Sequence, residues 1–206
     1  MAQNQVGIIN RALTRAASAR ITSISDPVKA AKSMDAVYVG ERDSAQMGAN
    51  WKEFITRFNP AQHSSTPLFG YQYEYQVPAD CLRIIEIQGI YVGTPNLGPR
   101  YLDESPKTPY TLEGSKILTD FNQTLKCRGI FRNTNEGTWG VLFIDYFMHC
   151  LICATLVDLS RKGQGDIGLA EDLKQQAFDK AVMMGAIEKP PEEIPDTSWI
   201  MSRVGP

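Results

Sequence analysis

Asp145, His149 and Cys153 follow one another at intervals of four residues, and Cys150 stands beside the histidine. On a helix that spacing puts a carboxylate, an imidazole and a thiol on one stripe, the arrangement of either a metal site or a buried polar cluster. Zinc needs a closed ligand set, and Cys150 turns away from the stripe. Cys81, Cys127 and His63 show no paired spacing that could complete one. The residues therefore predict a buried helix whose His149 and Asp145 hydrogen-bond to each other or to a neighbour, with no metal and no cofactor.

Gly163-x-Gly165-x-x-Gly168, with Glu188 further on, matches a dinucleotide-binding fingerprint. That chemistry requires a strand before the glycines, so that the pyrophosphate meets a helix N-terminus at the mouth of a βαβ unit. A long apolar run with helical spacing precedes them instead, so they predict a connection between two helices. Nucleophilic catalysis also lacks its parts. His63 and His149 are the only histidines, and His63 lies in a polar stretch with Ser64 and Ser65 that reads as an exposed linker. There is no nucleophile elbow and no P-loop. Glu192 and Glu193 lie in a proline-rich stretch that cannot hold them in catalytic geometry. The chain is not expected to be an enzyme.

The 206 residues suffice for one domain, or for one domain carrying an inserted subdomain. At 43% hydrophobic and 21% charged the composition supports a sizeable core, and a net charge of −2 offers no basic footprint for tight DNA binding. Met1 to Asn10 has no basic start leading into an apolar run, which predicts synthesis in a reducing cytoplasm and four free thiols. Val141 to Val157 is the one membrane candidate, but it is short of the about 20 residues a span needs and carries Asp145 and His149. It is expected to be a core helix.

The elements that would position these residues follow from periodicity. Val6, Ile9, Leu13 and Ala16 recur at helical spacing. Asp26-Pro27 reads as a helix start, with the helix running through Ala30, Met34 and Val37, pausing near Gly48 and resuming with Trp51, Phe54, Ile55 and Phe58. Between Ser64 and Asn135 the period drops to 2. Strands are predicted at Tyr71–Val77, Leu82–Ile90, Pro109–Leu112, Lys116–Thr119 and Leu125–Arg132, with a tight turn at Glu113-Gly114-Ser115. Pro95, Pro99, Pro106 and Pro109 mark a long loop suited to contact with something else. Thr138 is the predicted N-cap of a helix to about Arg161, and Asp166 that of a last helix through Leu169, Leu173, Ala177, Ala181 and Met184.

In the run Phe69 to Arg83, Tyr71, Tyr73, Tyr75 and Val77 alternate with Gln72, Glu74 and Gln76, one apolar face and one wet face, until Pro78 ends the strand. A Phe-x-Tyr-x-Tyr strand leading into Pro-x-Asp-Cys-Leu-Arg resembles the head-to-tail adaptor family of short-tailed bacteriophages, also called tail tubular protein A. Ile8-Ile9-Asn10-Arg11-Ala12-Leu13, then Arg20 to Asp26, is similar to that family's opening helix and turn. Trp51-Lys52-Glu53-Phe54 is similar to its aromatic pair, one residue longer in spacing than the commoner form. Tyr110 to Gly114 and Ile117 to Asp120 are similar to its central hairpin.

The resemblance implies an α+β fold: a four-helix bundle built from 1–63 and 136–188, an inserted antiparallel β subdomain over 64–135, and a tail over 189–206. It implies a homo-oligomeric ring of twelve copies in the virion tail, made in the host cytoplasm. The ring would join the portal protein to the tail nozzle protein, with tail fibres as a further neighbour, no membrane, and a channel through which DNA passes in transient non-specific contact. Asp196-Thr197-Ser198-Trp199-Ile200, then Arg203, looks like the adaptors' docking tail, so Trp199, Ile200, Met201 and Arg203 are the implied portal contacts. A terminus folded back on its own domain is the other reading of that segment. Lys126, Arg128 and Arg132 share one strand face, which is either simply solvated or turned towards a neighbouring subunit or the channel DNA. Rival readings are a connector of a long-tailed phage and a small-molecule-binding protein using the glycine run.

Overall fold

The computed structural model describes residues 4–92, 109–122, 124–159 and 164–187. Among them are four helices and two antiparallel four-stranded sheets, a mixed α+β fold. The long proline-marked loop apart from Pro109, and the tail from Lys189, lie outside the described residues.

Helix α1 (Gln5–Arg15) begins where the Asn4 side chain accepts the Gly7 N–H at 2.8 Å, and it buries Ile8, Ile9, Ala12 and Leu13. It ends with Ala17 at φ 52, where Ala17 N–H bonds Thr14 O and Ser18 N–H bonds Leu13 O. That is the double hydrogen bond of a Schellman cap, with alanine where glycine is usual. Helix α2 (Lys29–Met47) starts later than Asp26-Pro27 predicted, and its N-cap Val28 has no side-chain cap. Asp26 is occupied elsewhere: its carboxylate accepts the N–H groups of Thr22 and Ser23 and the Thr22 hydroxyl.

The predicted continuation of this helix is corrected. Trp51 and Phe54 do turn into the core, but Ile55–Phe58 is strand β1. Its backbone partner is far along the chain, with Ile55 opposite Ile130 and Phe58 opposite Cys127. Strand β2 (Ala61–Gln62) was also not anticipated. Close to expectation lie β3 (Tyr73–Gln76), β4 (Cys81–Ile87), β6 (Tyr110–Glu113), β7 (Lys116–Thr119) and β8 (Cys127–Phe131), whereas β5 (Ile90–Tyr91) is a separate strand. The predicted strand over Leu82–Ile90 is really a hairpin, because Gln88 at φ 51 and Gly89 at φ 82 form a two-residue turn with Ile87 opposite Ile90. Gly114 at φ 57 opens the predicted turn between β6 and β7, with Glu113 paired to Lys116.

The sheets run β1-β8-β4-β5 and β2-β3-β7-β6. A register shift in β4 sets Ile84 against Gly129 and Glu86 against Arg128, an extra residue on one strand. Alternation sends neighbouring side chains to opposite cores, and the bulge returns Ile87 to the side of Ile84, three residues before it. Ile85 joins the helical core, whereas Ile84 and Ile87 join the core shared with the second sheet. Gly129 opposes the bulge, and a Cβ there would lie 2.9 Å from Arg83 O and 3.1 Å from Cys81 Sγ.

Thr138 closes a 3-10 turn (Glu136–Thr138) through its hydroxyl to Asn135 O, so it is not the N-cap of helix α3 (Val141–Leu159). Fully buried Gln46 pins the approach, donating to Asn133 O at 2.7 Å and accepting Asn133 N–H at 3.1 Å. Helix α3 is long and apolar enough to cross a membrane by length and composition. In this fold it is the hub on which α1, α2 and α4 (Gln164–Ile187) pack, with Phe143, Phe147, Met148 and Leu151 buried. Because α4 already starts at Gln164, Gly165, Asp166 and Gly168 lie inside it, so the glycines do not break the chain between helices and Asp166 is past the N-cap position. Its hydrogen-bonded register is held by packing on α3, which overrides the weak intrinsic helix preference of two glycines.

Candidate functional site

The polar stripe predicted on α3 has a third partner that comes from α1. Arg15 donates to His149 Nε2 at 2.8 Å and reaches Asp145 Oδ1 at 3.1 Å. One guanidinium thus bridges both groups, so His149 and Asp145 meet through a neighbour, one of the two arrangements the sequence allowed. Accepting at Nε2 leaves the imidazole proton on Nδ1. Burial, and then the Arg15 charge, push the His149 pKa below its ordinary value, while Asp145 pulls the other way. His149 is a neutral acceptor here. The cation takes the lone pair that a metal would need, and Cys153 is a thiol whose pKa is raised by burial. Among the described residues no group of three or more His, Cys, Asp or Glu side chains is placed to hold a metal ion.

Arg15 is the last residue of α1, where a basic side chain suits the helix dipole. Nothing local in the sequence links it to positions 134 residues away. It stands at the mouth of a groove of about 840 Å³ between the end of α1, α3 and α4. Ile152, Leu156, Leu159, Leu169 and Leu173 line its apolar walls, and Lys180 is a second cation on its rim. Helix α4 buries Ala170, Ala177 and Ala181 against α3, and the small alanines let it approach closely. Its larger residues Leu169, Leu173, Met184 and Ile187 remain exposed along the neighbouring stripe.

The expected basic face is divided. Arg128 pairs with Glu86 at 2.7 Å, and Arg132, just past the end of β8, reaches Asp43 of α2 at 2.8 Å. Lys126 is exposed. Arg57, which the sequence did not single out, lies directly across from Arg128 in the ladder and lines a recess of about 550 Å³ with Glu86, Lys126 and Arg128. The face therefore carries positive charge already partly met within the chain.

Glu74 was expected on a wet face but is only 5% exposed. It accepts from the Ser65 hydroxyl at 2.6 Å and from Lys116 Nζ at 3.0 Å, with His63 Nδ1 also at 3.0 Å. The Ser65 and Lys116 hydrogen bonds lead in lowering its pKa. His63 is thus tied to β3 and is no free linker residue. Further along the same β2–β3 loop, Leu68 and Phe69 are 99% and 85% exposed.

Trp199, Ile200, Met201 and Arg203 lie outside the described residues, as does Gly163. The glycine run is preceded by helix α3 in place of the strand a dinucleotide site requires. No protein-family model and no curated protein sequence matches the chain.

Proposed function

We propose that this chain is a structural subunit of a head-to-tail adaptor: a ring, of twelve copies by resemblance, that joins a phage portal to the tail nozzle and leaves a channel for DNA. In this reading α1 to α4 form a four-helix bundle, the inserted subdomain expected over 64–135 begins earlier because β1 and β2 join its two sheets, and the stretch from Lys189 is the portal-docking tail. The role is mechanical and interfacial, without catalysis, and the place is the head–tail junction of the virion.

The observation that carries this reading is exposed apolar surface on two separate elements among the described residues. Leu68 and Phe69 project from the β2–β3 loop, and Leu169, Leu173, Met184 and Ile187 run along α4. Contiguous exposed apolar groups of this kind are unusual on a monomer and mark surfaces that neighbours cover. Two different sticky elements on one subunit suit a heterologous head-to-tail contact, which closes into a ring when its rotation permits. The ordered motifs from Ile8 to Asp120 that resemble the adaptor family point the same way.

Mass measurement and electron microscopy of the purified chain mixed with portal protein test the reading. The expected product is a closed, stoichiometric complex in which this chain sits beneath the portal. Deleting residues 196–206, or Trp199→Ala, should leave a folded chain that no longer joins. Absence of any closed complex across the accessible concentration range would remove the adaptor reading.

A further inference from the structure

We infer that the groove between α1, α3 and α4 is the binding site for this chain's own C-terminal segment, with Trp199 to Met201 entering the apolar part and the acidic residues before them meeting Arg15 and Lys180. The groove is open and apolar, about 840 Å³ in volume, within the range of built ligand pockets. The candidate occupant lies directly downstream in the sequence.

The chain continues for nineteen residues past Ile187, the end of α4. Trp199 is twelve residues beyond that end, so an extended link spans up to about 40 Å. Leu173, in the groove wall, lies fourteen residues back along the helix, about 21 Å at the α-helical rise. The segment is therefore long enough to double back, and a Pro190-Pro191 pair in the sequence disfavours simple continuation of the helix.

Charge supports the same match. The groove mouth carries two cations, Arg15 and Lys180, against the single carboxylate of Asp145, and His149 beside them is a neutral acceptor. The segment brings Glu192, Glu193 and Asp196 ahead of Trp199, Ile200 and Met201, so acid leads and apolar bulk follows. A tethered segment also meets its own groove at millimolar effective concentration, which favours it over the same segment of a second copy in dilute solution.

This contact does not rest on the adaptor reading. If both hold, a portal must draw the tail out of the groove, so the free subunit would be held back from joining until its partner is present. If the adaptor reading fails, the intrachain contact is still there to be measured.

The test places a photo-crosslinking aromatic amino acid at position 199 of the full chain. Crosslinked peptides are then mapped by mass spectrometry over a hundredfold range of protein concentration. The expected result is an intrachain crosslink from position 199 to α4 around Leu169–Lys180 or to the Ile152–Leu159 part of α3, at a yield that does not change with concentration. Leu173→Asp places a charge on the groove wall at a residue that is 40% exposed, and should abolish that crosslink. Should that variant misfold, Lys180→Glu, on the exposed rim, should lower the yield about 2- to 5-fold at low salt. Crosslinks that join two chains and rise with concentration would assign the groove to a second copy and overturn the proposal. Crosslinks that miss the groove, or a yield indifferent to both substitutions, would also overturn it.

Discussion

Phe143, in the helical half, lies against the rings of Trp51, Phe54, Trp139, Tyr146 and Phe147, the nearest centroid at 4.7 Å. Among the described residues Ile117, in the second sheet, shares its core with five other buried residues, Tyr75, Ile84, Ile87, Leu125 and Cys127. The second sheet makes up the difference with polar contacts, Glu74 to Ser65 and Lys116 and the Tyr75 hydroxyl to Phe121 O. One region is held by interlocking rings and the other by a small core plus hydrogen bonds. On this contrast the helices and the first sheet form the stable platform, and the second sheet is an attachment whose strength depends on its polar groups.

The largest effect should come from the platform. Phe143→Ala removes the ring at the centre of the aromatic cluster and should cost about 3–5 kcal/mol, whereas Ile117→Val in the small core should cost about 0.5–1.5 kcal/mol. Urea unfolding of both variants checks this, and similar losses would erase the distinction between the two regions. Next in size is Gly129→Ala. Its Cβ would crowd the Arg83 carbonyl at 2.9 Å where β8 faces the bulge, so a loss of about 1–3 kcal/mol is expected. Because β4 gives Ile85 to one core and Ile84 and Ile87 to the other, this variant should loosen both sheets together in hydrogen exchange.

A gain is expected at Ala17→Gly. Alanine at φ 52 in the cap of α1 carries left-handed strain of about 1–2 kcal/mol, which glycine would relieve. Calorimetry should show a higher Tm; a lower one would mean that the alanine methyl packs in a way that outweighs the strain.

The smallest effects separate the two regions by pH. His149 has a depressed pKa, from burial and then the Arg15 charge, so the unfolded chain binds the proton more readily. Its stabilisation is present above about 6.5 and is lost as pH falls through the lower folded value. Glu74 is also depressed, through Ser65 and then Lys116, so its contribution is present above the ordinary carboxylate range and is lost only as pH falls through its lower folded value. On acidification, the helical half should weaken first and the second sheet afterwards. His149→Gln should remove the first step and Glu74→Gln the second, followed by stability measured against pH. Loss of both steps in either single variant would mean that the regions unfold as one.

Much of this was legible in short stretches. Tyr110 to Thr119 reads as a hairpin because alternation and a glycine at the turn both act within ten residues. Helix α3 reads as buried because nearly every face of it is apolar, which leaves no side for solvent. Elsewhere local pattern misled. Trp51, Phe54 and Phe58 carry helical spacing, yet β8 offered Ile55–Phe58 a ladder and the backbone took it. Gln88-Gly89 was overlooked within an apolar run, although a glycine between two isoleucines signals a hairpin.

Pattern along the amino-acid sequence alone was enough for the hairpin between β6 and β7, the burial of α3 and the stripe of Asp145, His149 and Cys153, since periodicity and turn chemistry act between near neighbours. Only the tertiary structure decided that Arg15 would bridge that stripe, that Lys116 and Ser65 would take Glu74 out of water, and that α1, α3 and α4 would leave a groove between them. Each of those joins residues far apart in the chain or depends on the gap left when helices of unequal side-chain size pack. Spacing along the chain carries no record of such distances, because they arise only when separate elements come to lie side by side.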